Sequence, residues 1–126
     1  MKYIIADPDE QCRTELKSIL DGFNELVFQG GFPSLKSAEE SILSAPPDIA
    51  FIRTGKAELN PFRLAGALRE QNPFTKVVFI SSQKEHAVDA FECEADGFVL
   101  IPFEEKKIRH MLNSFIARNW IQKETY

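Results

Sequence analysis

The sequence predicts an α/β fold, a three-layer sandwich in which a doubly wound five-stranded parallel sheet lies between two layers of helices. Two observations and one general rule support this prediction. Five short apolar runs alternate with stretches whose apolar residues recur at helical spacing, so the chain divides into five β–α units. The runs are apolar throughout, which is typical of strands buried on both faces. Right-handed crossovers between such strands place helices on both sides of the sheet.

The five strands are short and apolar. In chain order they are predicted at Tyr3–Ala6, Leu26–Phe28, Ile49–Ile52, Val77–Ile80 and Phe98–Ile101. Gly30 and Gly31 follow the second strand, and we expect them to form the turn that ends it. The two glycines match neither the P-loop nor the GxGxxG spacing, so they do not predict a phosphate site.

The five helices are predicted from apolar residues spaced three and four apart. The second, third and fourth span 34–44, 61–71 and 85–94, and the third begins at Asn60-Pro61. The apolar residues expected on the inner faces, helix by helix, are Leu16, Ile19, Leu20 and Phe23; Leu35, Ala38, Ile42 and Leu43; Phe62, Leu64, Ala65 and Leu68; Ala87, Val88 and Phe91; and Ile108, Met111, Leu112, Phe115 and Ile116. Residues 1–120 form one predicted domain, followed by a polar tail at 121–126.

Composition argues against several classes of protein. With 44% hydrophobic and 27% charged residues, the 126-residue chain is long and apolar enough for one folded core. A net charge of −4 argues against nucleic-acid binding through a basic face of this domain. Cys12 and Cys93 are far apart, so they predict neither a disulfide framework nor a zinc site, and they fit a reducing, cytoplasmic setting. The apolar patch at the start of the chain is too short for a signal peptide or a membrane span.

Polar side chains follow several of the predicted strands at the same edge of the sheet. In open parallel sheets, binding sites lie at the carboxyl ends of the strands, near the point where the strand order reverses. The segments expected to meet there are residues 7–10 after strand one, 53–55 after strand three and 81–82 after strand four, with Ile101-Pro102 alongside. The arginine at position 53 is unexpected, because it places a permanent cation directly after a buried strand.

Three stretches resemble the receiver domains of response regulators, the CheY-like variant of the flavodoxin-type fold. They are IIADPDE, PDIAFIRTGKAELNPFRLAGALRE and VVFISSQKEHAVDAFECEADGFVLIPF. The stretch AFECEADGFVLIPF is especially similar to the receivers of LytTR-type transcription regulators. The resemblance runs from about Lys2 to Phe115. In that family, an aspartate at the end of strand three takes a phosphoryl group, and two acids after strand one hold Mg²⁺. A Ser or Thr ends strand four, and a Lys-Pro pair ends strand five.

The resemblance implies that this receiver is degenerate. Arg53 stands at the phospho-acceptor position, Pro8 at the second acid and Ile101 at the lysine. Asp7, Ser81 and Pro102 match the family pattern. A guanidinium cannot take a phosphoryl group, and it repels a divalent cation. We therefore expect no enzymatic activity, no aspartyl phosphorylation at this site and lost or weak Mg²⁺ binding.

The remaining site residues have more than one interpretation. Asp7 is expected to cap the first helix, with Pro8 at its first position and Glu10 at its third, although a retained metal role is the alternative. Arg53 is expected to pair with Asp7, and it could also fix one receiver conformation. By resemblance, Ser81 and Phe98 occupy the positions of the switch hydroxyl and the switching aromatic. Ile101-Pro102 is a candidate cis peptide for the same reason.

The lone histidines of the chain are weak functional candidates. His86 and His110 lie on predicted helices, and surface or helix-end roles are expected for both because they belong to no metal-binding cluster.

Two functions are consistent with these residues. The first is a pseudo-receiver, a signalling and interaction module that works without phosphorylation. Its partner, or a second copy, would bind a face made by helix four, strand five and helix five, within residues 84–94, 97–101 and 103–118. The LytTR-like resemblance implies a DNA-binding output domain further along the full protein. The alternative is a flavodoxin-like domain that binds a flavin or another small ligand. The acidic segment DPDE after strand one disfavours that alternative, because it would repel a phosphate.

Overall fold

The computed structural model describes residues 1–55 and 60–124, with side chains described up to Arg118, and its strands and helices alternate along the chain. The elements are β1 (Lys2–Ala6), α1 (Glu10–Leu20), β2 (Val27–Phe32), α2 (Leu35–Ser44), β3 (Ile49–Arg53), α3 (Pro61–Gln71), β4 (Lys76–Ser81), α4 (His86–Glu92), β5 (Gly97–Leu100) and α5 (Glu105–Glu124). The backbone of α5 includes residues 121–124 of the predicted tail, and residues 125–126 lie outside the described residues. Within the described ranges, none of these helices has the length and apolarity that crossing a lipid bilayer requires.

The sheet confirms the predicted doubly wound parallel fold. Its strand order is β2-β1-β3-β4-β5, and every neighbouring pair is parallel. The chain runs outward from β1 to β2 and then returns past β1 to β3, so the order reverses between β1 and β3. Because Ala6 pairs with Ile52 in the register of these two strands, the residues that follow them emerge side by side.

Side chains that alternate along the central strands fill two separate cores. One core joins Tyr3, Ile5 and Phe51 to residues of α1 and α5. The other joins strand residues of the opposite face to α2, α3 and α4; its members are Ile4, Ala6, Leu35, Ala38, Ile42, Ala50, Ile52, Leu64, Ala65, Leu68, Val77, Phe79 and Ala90. Burial on both faces explains why these strands read as continuous apolar runs in the sequence.

The predicted glycine turn after strand two is wrong. β2 continues through Gly30 and Gly31 to Phe32, and the two glycines pair with Ile4 and Ile5 of β1. The register shifts between Tyr3 and Ile4, which is a bulge-like irregularity. A Cβ atom on Gly30 would lie 2.9 Å from the Phe32 ring, so the glycine provides room for that ring inside the strand.

Three apolar side chains predicted to point inward are exposed instead. Leu43 on α2 and Val88 and Phe91 on α4 are each at least 60% exposed. Ala38 and Ile42 already fill the inward arc of α2, and Leu43 lies one helical step beyond it. The described helix α4 has seven residues, and Ala90 is its buried member. Val88 and Phe91 of α4 therefore lie on the surface of the protein.

Phe79→Ala should lower the free energy of unfolding by about 3–5 kcal/mol, because it removes a fully buried ring from the second core. The Phe79 ring packs edge-on against Phe62, with centroids 5.1 Å apart. The matched control is Phe74→Ala, the same truncation at a side chain that is 67% exposed, which should change stability by less than about 0.5 kcal/mol. Urea denaturation measures both variants, and equal losses would contradict the assigned core.

Candidate functional site

A buried ion pair joins the ends of β1 and β3. Arg53 is the last residue of β3, and Asp7 follows β1 directly. The Arg53 Nη1 atom donates to Asp7 Oδ2 at 3.0 Å, and the two side chains are 3% and 1% exposed. The predicted Arg53–Asp7 pair is therefore confirmed. Burial makes the pair mutually dependent, since either charge alone would lie in a poorly solvated position.

Asp7 is fixed from several directions, and the cap predicted for it is wrong. Its Oδ1 atom accepts a hydrogen bond from the Asp9 backbone N–H at 2.9 Å, and its carbonyl accepts one from Arg13 Nη1 at 2.5 Å. Asp9 caps α1 instead, because its side chain accepts from the backbone N–H groups of Gln11 and Cys12. The helix begins two residues later than predicted because the Asp7 carboxylate is engaged by Arg53 and by the turn that leads into α1.

The environment of Arg53 keeps its charge in place. Burial lowers the pKa of Arg53, but the charge and hydrogen bond of Asp7 together with the contact to Cys12 give a net rise. Nη1 also approaches the Cys12 Sγ atom at 3.6 Å. Burial raises the pKa of the Cys12 thiol; the Arg53 contact opposes that rise, and Asp9 and Asp7 add to it. The Arg53 Nε–H group is buried and has no hydrogen-bond partner among the described residues.

A second polar group lies at the ends of β3 and β4. Ser81 is buried at the end of β4, and Thr54 is buried just after β3. Nδ1 of His86, the first residue of α4, lies 2.7 Å from Ser81 Oγ and 3.4 Å from Thr54 Oγ1. The surface or helix-end role predicted for His86 misses this contact.

Strand β5 contributes the remaining candidate residues. The Ile101 backbone N–H donates to the Ser81 carbonyl at 2.8 Å, and the Ile101 side chain packs against the first core. The Ile101-Pro102 peptide bond is cis, which confirms that prediction. Phe98 packs against the second core and also lines a cavity between α4, β5 and α5.

The residues at this sheet edge do not fit a Mg²⁺ ion. Magnesium binds through oxygen ligands in near-octahedral geometry. Each Asp7 carboxylate oxygen already accepts a hydrogen bond, one from Arg53 and the other from the Asp9 N–H. An ion beside Asp7 would also lie next to the guanidinium charge. Across residues 1–55 and 60–124, no cluster of three or more His, Cys, Asp and Glu side chains could hold a metal.

The ion pair predicts a strong dependence of stability on both of its partners. Asp7→Ala should lower the free energy of unfolding by about 3–5 kcal/mol, because Arg53 stays buried without its counter-charge. Adding Arg53→Met should recover much of this loss, since no charge then remains at the site. Chemical denaturation of both single variants and the double variant gives the coupling energy. Losses that simply add would show that the pair contributes nothing.

Comparison with known proteins shows that the chain is similar to response regulators. No family model matches the sequence. The sensory transduction protein LytT of Bacillus cereus is 28% identical over 125 residues, which are 99% of this chain and 51% of LytT. The transcriptional regulatory protein LytR of Staphylococcus aureus is 29% identical over 123 residues, which cover 93% of this chain and 48% of LytR. The chain thus spans about half the length of the curated relatives it matches.

A solved structure agrees with these relatives over nearly the whole chain. The response regulatory domain of mrkE from Klebsiella pneumoniae superposes with a TM-score of 0.85 and 28% identity, covering 97% of this chain and 99% of that one. The comparisons favour the receiver over the flavin-binding alternative. The agreement of sequence, sheet topology and solved structure leads to one conclusion: the chain has the fold of a response-regulator receiver domain and is similar in sequence to the LytT and LytR regulators.

Proposed function

We propose that this chain is a pseudo-receiver, a receiver domain that signals through protein contact without taking up a phosphoryl group. The observation that carries this proposal is the buried Arg53–Asp7 ion pair, 3.0 Å long, at the position where the family resemblance expects an aspartyl nucleophile beside a metal site. The substitution of the phospho-acceptor position by Arg53 in the sequence thus corresponds to an ion pair in the structure.

The chemistry of phosphoryl transfer lacks three of its parts here. A guanidinium is a permanently charged donor and offers no nucleophilic oxygen. The Asp7 carboxylate is held by Arg53, so it is not free to bridge a cation and phosphoryl oxygens. Ile101, in place of the lysine, packs its side chain against the first core and cannot pair with a phosphoryl oxygen. Replacing Arg53 alone would release Asp7, but Pro8 would remain at the position of the second acid and Ile101 at the position of the lysine.

The output surface in this proposal is the face formed by α4, β5 and α5. Val88, Phe91 and Leu100 are exposed apolar residues on α4 and β5. A neighbouring cavity of about 260 Å³ is lined by Lys84, Ala87, Phe98, Val99, Leu100, Glu104, Lys107, Ile108 and Met111. An apolar patch beside a concave surface is typical of a protein-binding face.

Charge on this face favours a second copy of the chain as its occupant. Glu85, Asp89 and Glu92 are exposed on or beside α4, whereas Lys106 and Lys107 are exposed on α5, where Lys107 also pairs with Glu104 at 3.4 Å. A two-fold arrangement would bring the acidic side chains of α4 in one copy against the two lysines of α5 in the other. In the complete protein, we propose that this pairing regulates a DNA-binding output domain in the cytoplasm. The half-length match to a transcriptional regulatory protein supports that extension.

Beryllofluoride, which mimics an acyl phosphate, should leave the ¹H–¹⁵N NMR spectrum unchanged at saturating Mg²⁺, because the site offers neither a nucleophile nor a metal cage. Specific, saturable shifts of residues 7, 53 and 81 would refute the proposal. Arg53→Asp should also remain unphosphorylated by acetyl phosphate, since Pro8 and Ile101 are still present. The control for reagent activity is a receiver with an intact aspartate site.

Self-association should depend on the exposed apolar residues of α4. Val88→Glu combined with Phe91→Glu should weaken any dimer by at least about tenfold, since each change places a charge in the apolar centre of the proposed contact. Leu43→Glu is the matched control, because Leu43 is equally exposed but lies on α2. Sedimentation velocity over a range of concentrations measures the effect. A wild-type chain that remains monomeric at millimolar concentration would rule out the homodimer.

A further inference from the structure

His86 is held by a hydrogen-bond network that joins three elements. Its Nδ1 atom lies 2.7 Å from the Ser81 hydroxyl and 3.4 Å from the Thr54 hydroxyl. Thr54 Oγ1 also donates to the Ile80 carbonyl at 3.2 Å. The start of α4 is thereby connected to the end of β4 and to the segment that follows β3.

The backbone after β3 is shaped to admit the imidazole ring. Gly55 has a φ of +85°, in the left-handed region that favours glycine. A Cβ atom at Gly55 would lie 2.8 Å from the His86 Cε1 atom, closer than real Cβ contacts allow. Any larger residue would therefore be strained and would displace the ring. The contact therefore depends on two residues, Gly55 in the segment after β3 and His86 at the start of α4.

The hydrogen bond between His86 and Ser81 is compatible with either tautomer of the ring. Ser81 Oγ accepts the Gln83 backbone N–H at 2.9 Å and lies 3.2 Å from the Gln83 carbonyl. When Nδ1 carries a proton, the ring donates to Ser81, and the hydroxyl donates to the Gln83 carbonyl. When Nδ1 lacks a proton, the hydroxyl donates to the ring instead. Ser81 keeps its orientation in both arrangements.

We propose that His86 is a positioning residue that holds the Ser81 hydroxyl and ties α4 to the ends of β3 and β4, so that the place of this helix is set without a phosphoryl group. The inference rests on the proposed function. It adds the internal contact that would position α4 in place of a phosphoryl group. Its consequence lies at the surface, because Val88 and Phe91 are on the same short helix. The position of the proposed output face follows from the position of His86.

The first test measures the imidazole directly in the folded wild-type protein. The chain has two histidines, so a long-range ¹H–¹⁵N spectrum contains two rings to assign. Ser81→Ala should shift the Nδ1 resonance of His86 and leave that of His110, which is exposed on α5, unchanged. A His86 resonance that does not respond to Ser81→Ala would overturn the proposal. This test does not require any His86 variant to fold.

The second test asks whether the contact restrains the helix. His86→Phe keeps a ring but removes Nδ1, and amide hydrogen exchange across α4 should accelerate roughly fivefold to tenfold, the factor expected for loss of one hydrogen bond. His86→Asn keeps a polar atom near the Nδ1 position and should restore much of the protection. His110→Phe is the matched control and should leave α4 unaffected. Equal exchange in the wild type and in His86→Phe would contradict a positioning role.

The two proposals fail in different ways. Beryllofluoride binding by the wild type would refute the phosphorylation-independent function, whatever the state of His86. A free His86 ring in a domain that ignores beryllofluoride would refute the positioning role and leave the pseudo-receiver intact.

Discussion

The buried ion pair between Arg53 and Asp7 is the constraint on which the rest of this receiver depends. Two charges that are 97–99% shielded from solvent persist together because each provides the compensation that water would otherwise supply. The pair joins β1 and β3, the two strands between which the strand order reverses. It uses the carboxylate that the family resemblance would assign to a metal. A single contact therefore links the two central strands and occupies the carboxylate on which the pseudo-receiver proposal depends. The same carboxylate also accepts the Asp9 backbone N–H, so Asp7 connects the ion pair to the turn that leads into α1.

Most of the architecture could be predicted from the sequence because its signals are redundant. Ile4, Ile5, Phe51 and their neighbours are apolar without alternation, and this pattern has few explanations other than strands covered on both faces. The incorrect predictions concern elements that pack on one side only, such as an edge strand or a short surface helix. Gly30 and Gly31 lie on an edge strand, where pairing with β1 outweighs the preference of glycine for turns. Hydrophobicity alone also cannot separate a core residue from a surface residue on a seven-residue helix such as α4.

The site was predictable to the extent that it depends on charge. A permanent cation after a buried strand requires an anion, and Asp7 is the nearest candidate on the adjacent strand, so the pair could be anticipated. The cap of α1 could not be predicted, because Asp7 with Glu10 three positions later matches a capping box, whereas in the structure Asp7 pairs with Arg53 and Asp9 is the cap. The contact between His86 and Thr54 could not be predicted, because it joins residues that are 32 positions apart in the chain. Gly55, which is left-handed, is the residue in the sequence that this contact requires. Its importance becomes clear only when the structure shows the His86 ring beside it.

The edge strand β2 also affects how copies of this chain meet. β2 is an outer strand of the sheet and carries the exposed apolar residues Val27 and Phe28, a combination that invites a foreign strand to add by backbone pairing. The irregular register beside Phe28 interrupts the even spacing of backbone donors and acceptors that such an addition needs. The two glycines that follow offer an incoming strand no side chains to pack against. The same irregularity that made the extent of this strand hard to predict from the sequence therefore disfavours the addition of a foreign strand at this edge of the sheet.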